Sequence, residues 1–201
     1  MDKLLKSISY IFHPLLMPLL GVIFYFSISP RYLPVEIIKA KLISLFILTI
    51  IIPLLLYWLL NLIGIAKTIN LETTRERIMP LILNSVLILI VLDRILTPSQ
   101  SIELYFFFLG ILISNMACLF LALLKFKASI HMIGITGLFM FLVALSIHFN
   151  INISGPIAIV CILIGALASS RLHLKAHSSI ELIIGLFVGL IPQLILVTYW
   201  L

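Results

Sequence analysis

His177 and Glu181 stand four residues apart at the start of the last apolar segment, within "SSRLHLKAHSSIELIIG" at 169–185. On a helix that spacing puts both side chains on one face, one above the other. A carboxylate that holds the proton of one imidazole nitrogen leaves the other as a lone pair, ready to attack an electrophile or take a proton. Gly185 and Gly189 continue the same stripe, and small residues at that interval let two helices approach closely. The pair is therefore expected to point into a bundle rather than into lipid. Arg171, six residues before His177, reaches the same space.

Two other stretches carry residues of matching chemistry. "KASIH" supplies Lys127, Ser129 and His131, and Gly134 and Gly137 follow His131 at intervals of three. A second histidine offers a general acid distinct from a nucleophile. "RERIMP" supplies Arg75 and Arg77, with Lys67 upstream and Pro80 expected in the first turn of a helix. Several fixed cations facing a common space suit a phosphorylated ligand. Arg presents a planar fork to phosphate oxygens and Lys a point charge.

The elements that must position these residues follow from composition. Of 201 residues, 63% are hydrophobic and 10% charged, with a mean hydropathy of +1.33. A soluble domain is about half apolar and about a quarter charged, so this is the composition of an integral membrane protein. The net charge of +6 belongs to individual loops. No basic stripe with interleaved aromatics points to nucleic acid. Cys118 and Cys161 lie in apolar segments without CxxC or metal-ligand spacing and read as packing residues. The sequence calls for no cofactor and no metal.

Seven apolar segments are expected: 9–28, 40–65, 79–97, 103–124, 130–149, 154–171 and 180–200. Each approaches the roughly 20 residues needed to span a bilayer. Each must be helical, because its backbone hydrogen bonds have to close within the segment. The fold class is thus an all-α polytopic transmembrane bundle, in one domain over 1–201. Lys3 and Lys6 precede the first segment with no small-residue cleavage site after it, so it reads as retained. Pro14 and Pro18 either kink it or make it re-entrant.

If all seven span, the even-numbered connections and the N-terminus share one face. That face holds Lys67, Arg75, Arg77, Lys125, Lys127, Arg171 and Lys175, with His131, His173 and His177, against Glu72, Glu76 and Glu181. Lys3, Lys6, Lys39, Lys41 and Lys125 read as headgroup anchors. His13, His148 and His173 read as interfacial or packed side chains. Asp93 and Arg94 read as solvated charges at the opposite interface.

The three stretches together resemble the type-2 phosphatidic acid phosphatase superfamily. Ser170-Arg171, five residues, His177, three residues and Glu181 is similar to its third signature, Ser-Arg-x5-His-x3-Asp, with Glu in place of Asp. Ala128-Ser129-Ile130-His131 resembles the second, Pro-Ser-Gly-His. Arg75 and Arg77 stand where the first, Lys-x6-Arg-Pro, belongs, although Lys67 is one residue too far from Arg75 and no proline follows either arginine directly. The order is right over about 65–190. The resemblance implies metal-independent hydrolysis of a phosphate ester or pyrophosphate on a lipid. It makes His177 the nucleophile that becomes a phosphohistidine, Glu181 its orienting acid and His131 the general acid. It makes Arg75, Arg77, Ser129 and Arg171 phosphate ligands. Lys127 joins them by proximity, and Lys67 is a weaker candidate.

The expected partners are membrane lipids and a phosphorylated lipid substrate. The expected location is a bacterial inner membrane. Counting Lys and Arg puts nine on the motif face and four on the other, which favours a cytoplasmic site. Setting aside the five phosphate candidates leaves four against four, and relatives in bacteria favour the periplasm. Two other classes fit the same residues. One is a non-catalytic relative that binds lipid phosphates or a protein. The other is a transporter, although its charges would be expected near mid-membrane rather than at one face.

Overall fold

A computed structural model describes residues 2–65 and 73–201, with side chains from Ser7 onward. Lys67 and Glu72 lie outside the described residues. All regular structure in the described residues is helical. In chain order the α-helices are α1 (Asp2–Ile11), α2 (Met17–Ile28), α3 (Val35–Phe46), α4 (Ile52–Leu62), α5 (Thr74–Arg94), α6 (Ile102–Leu123), α7 (Ile130–His148), α8 (Ser154–His173) and α9 (Ser179–Leu196).

Six helical stretches are long and apolar enough to cross a membrane: Ser7–Ile28, Val35–Leu62, Ile102–Leu123, Ile130–His148, Ser154–His173 and Ser179–Tyr199. The chain is a membrane helix bundle. The expected third segment is α5, a helix of 21 residues, about 31 Å long at about 1.5 Å per residue. It is not among the six, because Arg77 at one end and Asp93 and Arg94 at the other confine its uncharged stretch to 78–92.

Several boundaries differ from expectation. α5 begins at Thr74 rather than 79, because Thr73 caps it by accepting the Glu76 N–H at 3.3 Å. Pro80 therefore sits inside the helix, not in its first turn. The second segment begins at Val35 rather than 40, where Pro34 holds the cap position and Glu36 lies in the first turn. It continues through a π turn, Ile47–Ile51, into α4. Pro53 follows that turn and offers no N–H to the carbonyl of Thr49, the ordinary cause of such a widening. Lys41, expected at the headgroups, is buried. Its Nζ donates to the Ile95 carbonyl at 2.9 Å, capping the end of α5. The first segment is broken rather than straight: a 3-10 turn, Pro14–Leu16, separates α1 from α2.

α7 is the central helix. Of its apolar stretch 56% is buried, against 11% for the α3–α4 span at the periphery. One core cluster joins α2, α6 and α7 through Tyr25, Phe107, Phe108 and Phe141, with Phe107 stacked on Phe141 at 4.1 Å. On another side α7 meets α9 along the glycine stripe. A Cβ at Gly185 would lie 2.8 Å from the Ser129 carbonyl oxygen, and one at Gly189 would collide with the Ile133 carbonyl. Where lipid gives no hydrophobic drive to helix pairing, such close backbone contact supplies the packing energy.

Candidate functional site

The loop after α8 places His177. Lys175 adopts a left-handed φ of 50°. The Ala176 N–H bonds the Arg171 carbonyl at 3.1 Å and the Lys175 N–H bonds that of Leu172 at 2.9 Å, a pairing that ends a helix and reverses the chain. α9 then starts on a capping box of Ser178 and Glu181. The Ser178 N–H donates to Glu181 Oε2 at 3.0 Å and the Glu181 N–H to Ser178 Oγ at 3.4 Å. The same carboxylate oxygen accepts the Nδ1 proton of His177 at 2.8 Å. One local motif thus anchors the helix and fixes the histidine tautomer, leaving Nε2 as the lone pair.

His177 is only 7% exposed. Burial lowers its pKa below the ordinary 6.5; the bond to Glu181 opposes this, and the charges of Arg77, Arg171 and Lys127 reinforce it. Burial and the neighbouring cations outweigh the carboxylate and hold the ring neutral at neutral pH.

The 125–129 loop and α7 bring the second set. Arg77, buried near the start of α5, donates from Nη1 to the Ala128 carbonyl at 2.6 Å. The Ser129 N–H donates to the backbone carbonyl of Glu181 at 3.1 Å, so the loop lies directly on α9. That seat needs the missing side chain of Gly185. His131, in the first turn of α7, bonds the Ser9 carbonyl through Nε2 at 3.3 Å. A carbonyl only accepts, so Nε2 carries the proton and Nδ1 is the nitrogen left for exchange. Ser9 also meets Ser170, Oγ to Oγ at 2.9 Å, tying α1 to α8.

Arg77, His131, Arg171 and His177 line one cavity of about 490 Å³, together with His13. Its apolar wall follows α5 from Leu81 to Val91 and includes Phe107, Phe108 and Leu138. From Arg77 to Val91 the wall runs fourteen residues, about 21 Å of helix. Two buried polar atoms at the charged end have no hydrogen-bond partner among the described residues: Ser129 Oγ and Arg171 Nε. Leaving a buried polar atom unpaired costs about 1–3 kcal/mol, so such atoms are uncommon.

Of the residues singled out from sequence, His177, Glu181, His131, Arg77, Arg171 and Ser129 come together. Lys127 is half-buried and within electrostatic reach of His177. Arg75 is exposed on the first turn of α5 and does not line the cavity; it stands two residues, about 200° of helix rotation, from Arg77, which occupies the inward face. Lys67 lies outside the described residues. His13 belongs to the cluster although its own segment gave no sign of this. The capping box was legible as Ser-x-x-Glu at 178–181. No group of three or more His, Cys, Asp and Glu among the described residues is placed to hold a metal ion.

A second polar cluster lies at the opposite end of the bundle. Glu103, fully buried, accepts Arg31 at 2.7 Å, His148 Nε2 at 3.1 Å and the Tyr25 hydroxyl at 3.0 Å. Asp93 and Arg94 pair with each other at 2.7 Å on an exposed surface, as expected of solvated charges. Set against family models, curated proteins and solved structures, the chain matches none.

Proposed function

We propose that this chain is a metal-independent membrane phosphatase that hydrolyses a lipid phosphate or an isoprenoid (pyro)phosphate through a phosphohistidine on His177. The observation that carries the reading is the cavity. Its charged end gathers Arg77, Arg171, His131 and a His177 oriented by Glu181, while its wall is apolar. An amphiphile with an anionic head and a long tail matches that division. The volume falls in the range of ligand pockets, about 300–1,000 Å³. The wall's length exceeds the roughly 15 Å of one leaflet's core.

In this reading His177 Nε2 attacks phosphorus, and a P–N bond forms as the P–O bond to the lipid breaks. The leaving oxygen takes a proton from the His131 imidazolium at Nδ1, since Nε2–H faces Ser9. Water then attacks the phosphohistidine and gives a proton back to His131, and His177 departs as the imidazole. Glu181 stabilises the cationic ring between these steps. Arg77, Arg171 and Lys127 offset charge on the phosphoryl oxygens, a preorganised electrostatic effect. Ser129 Oγ and Arg171 Nε, unpaired among the described residues, gain the phosphate as partner.

The proposal includes α5 as a seventh crossing, in a bacterial inner membrane, with the site toward the periplasm. Cysteines introduced at Thr73, Lys125 and Ser178 should then be labelled from one side. The decisive experiment is a phosphate-release screen over lipid phosphates and pyrophosphates in detergent. Wild type should turn over at least one of them in EDTA, and His177→Ala none. Loss of activity in EDTA with recovery on Mg²⁺ would sink the mechanism. Tight lipid-phosphate binding without turnover would mark a non-catalytic binder instead.

A further inference from the structure

The break in the first membrane segment puts a third histidine into the cavity. His13 precedes Pro14, and a residue before proline is held out of the helical region. Its backbone is accordingly extended, at φ −67° and ψ 138°. From there its side chain caps the 3-10 turn, with Nδ1 accepting the Leu15 N–H at 3.3 Å. A ring nitrogen that accepts a hydrogen bond carries no proton, so in the neutral ring the proton sits on Nε2. No group among the described residues accepts from that Nε2.

The ring is aimed at chemistry rather than at lipid. It lines the cavity with Arg77, His131, Arg171 and His177. It stands edge-on to His131, centroids 5.5 Å apart and planes at 79°. The break itself is seated on α7: a Cβ at Gly134, one turn beyond His131, would lie 3.4 Å from the Pro14 Cα. Pro14 starts the turn, the turn fixes the tautomer of His13, and Gly134 lets it approach His131.

We infer that His13 binds the phosphoryl group, donating an Nε2–H hydrogen bond to a non-bridging phosphate oxygen. This rests on the phosphate reading of the cavity. Arg77 and Arg171 supply charge, whereas His13 supplies an uncharged donor whose proton is held in place by the backbone. It has a binding role and is not the acid for the leaving group. To act as an acid it would need a proton on Nδ1 as well, and that would break its bond to Leu15.

The test uses the whole protein in detergent with orthovanadate as the phosphate probe. His13→Ala should weaken vanadate binding about tenfold to a hundredfold, the size of a lost hydrogen bond to a charged group. His13→Gln, whose amide N–H is placed to replace the donor, should restore most of it. Vanadate binding by His13→Ala equal to wild type would overturn the inference, and so would a His13→Gln as weak as His13→Ala. If the alanine variant fails to fold, ¹⁵N-histidine spectra of wild type decide. A His13 signal protonated at Nε2 and shifted by vanadate supports the role, and one that vanadate leaves unchanged ends it. Vanadate binding that depends on His13, without phosphate release from any lipid, supports the inference while overturning the phosphatase reading. A wild type that binds no vanadate overturns both.

Discussion

At one end of the bundle Glu103 gathers Arg31, His148 and Tyr25; at the other Glu181 gathers His177 and the N–H of Ser178. Both ends thus hold a carboxylate bonded to a histidine in a largely apolar chain. The difference lies in the cations. Arg31 is spent on Glu103, with Nε at 2.9 Å and Nη2 at 2.7 Å, so donors and acceptor balance. At the other end Arg77, Arg171 and Lys127 surround His177, while Glu181 is engaged by the histidine and its own cap. Arg77 and Arg171 there line a cavity, and buried atoms unpaired among the described residues occur at both ends, Ser129 Oγ and Arg171 Nε at this one and Ser101 Oγ, two residues from Glu103, at the other. A balanced buried cluster fastens helices. On the proposed reading, the cluster beside the cavity is instead completed by an anionic ligand.

The sharpest way to break this comparison is His177→Ala. Loss of a nucleophile is expected to lower kcat/KM by on the order of 10⁶-fold while the melting temperature stays close to wild type. If melting collapses along with turnover, the site end is a fastening like the other. Glu181→Gln should have the next largest effect, a loss on the order of 10⁴-fold or less, by analogy with orienting acids in nucleophile triads. The amide oxygen still accepts the Ser178 N–H, so the cap survives and thermal melts should show little change.

Glu103→Ala should behave in the opposite way. It strands Arg31, His148 and Tyr25 at once, and breaking a buried ion pair destabilises by about 3–5 kcal/mol. With Arg31 nearly half exposed, the lower part of that range is expected, read from denaturation in detergent. The folded fraction should keep wild-type turnover. Lost turnover at full stability would reverse the roles of the two ends.

The smallest effect is a pH dependence at the site end. The folded pKa of His177 lies below the unfolded 6.5, so at pH below 6.5 the unfolded state binds the proton first. Stability from the neutral ring is present above about pH 6.5 and declines as pH falls toward the folded value. On the proposed mechanism turnover should fall in the same direction, because only a neutral imidazole is a nucleophile. Melting temperature from pH 7.5 to 5 should therefore fall more in wild type than in His177→Ala. Equal slopes would assign the acid sensitivity to other groups.

Much of the fold was legible because lipid leaves few options. A stretch of about 20 apolar residues without water must close its own hydrogen bonds, so helices followed from hydropathy alone. α5 was the exception, since its charged ends blur its length. The His177–Glu181 pair was legible because it is local: helix period and capping chemistry act within four residues. Arg75 was misplaced for the same reason Arg77 was found. Sequence proximity names both arginines, but only the helix phase of α5 decides which one turns inward.

The remainder required the tertiary structure. Glu103 lies 72, 78 and 45 residues from Arg31, Tyr25 and His148, and nothing in the spacing announces their meeting. His13 and His131 are likewise far apart in sequence and meet only because the proline break docks on Gly134. Sequence by itself determined the helices, the His–Glu couple and the excess of cations on the motif connections. Those depend on hydropathy, helix period and residue type, which act over a few neighbours. Only the packed bundle decided which cations face the cavity, which carboxylate is used up as a fastening and which histidine joins the cluster. Those depend on the rotation of each helix about its axis, which side chains from distant segments fix together.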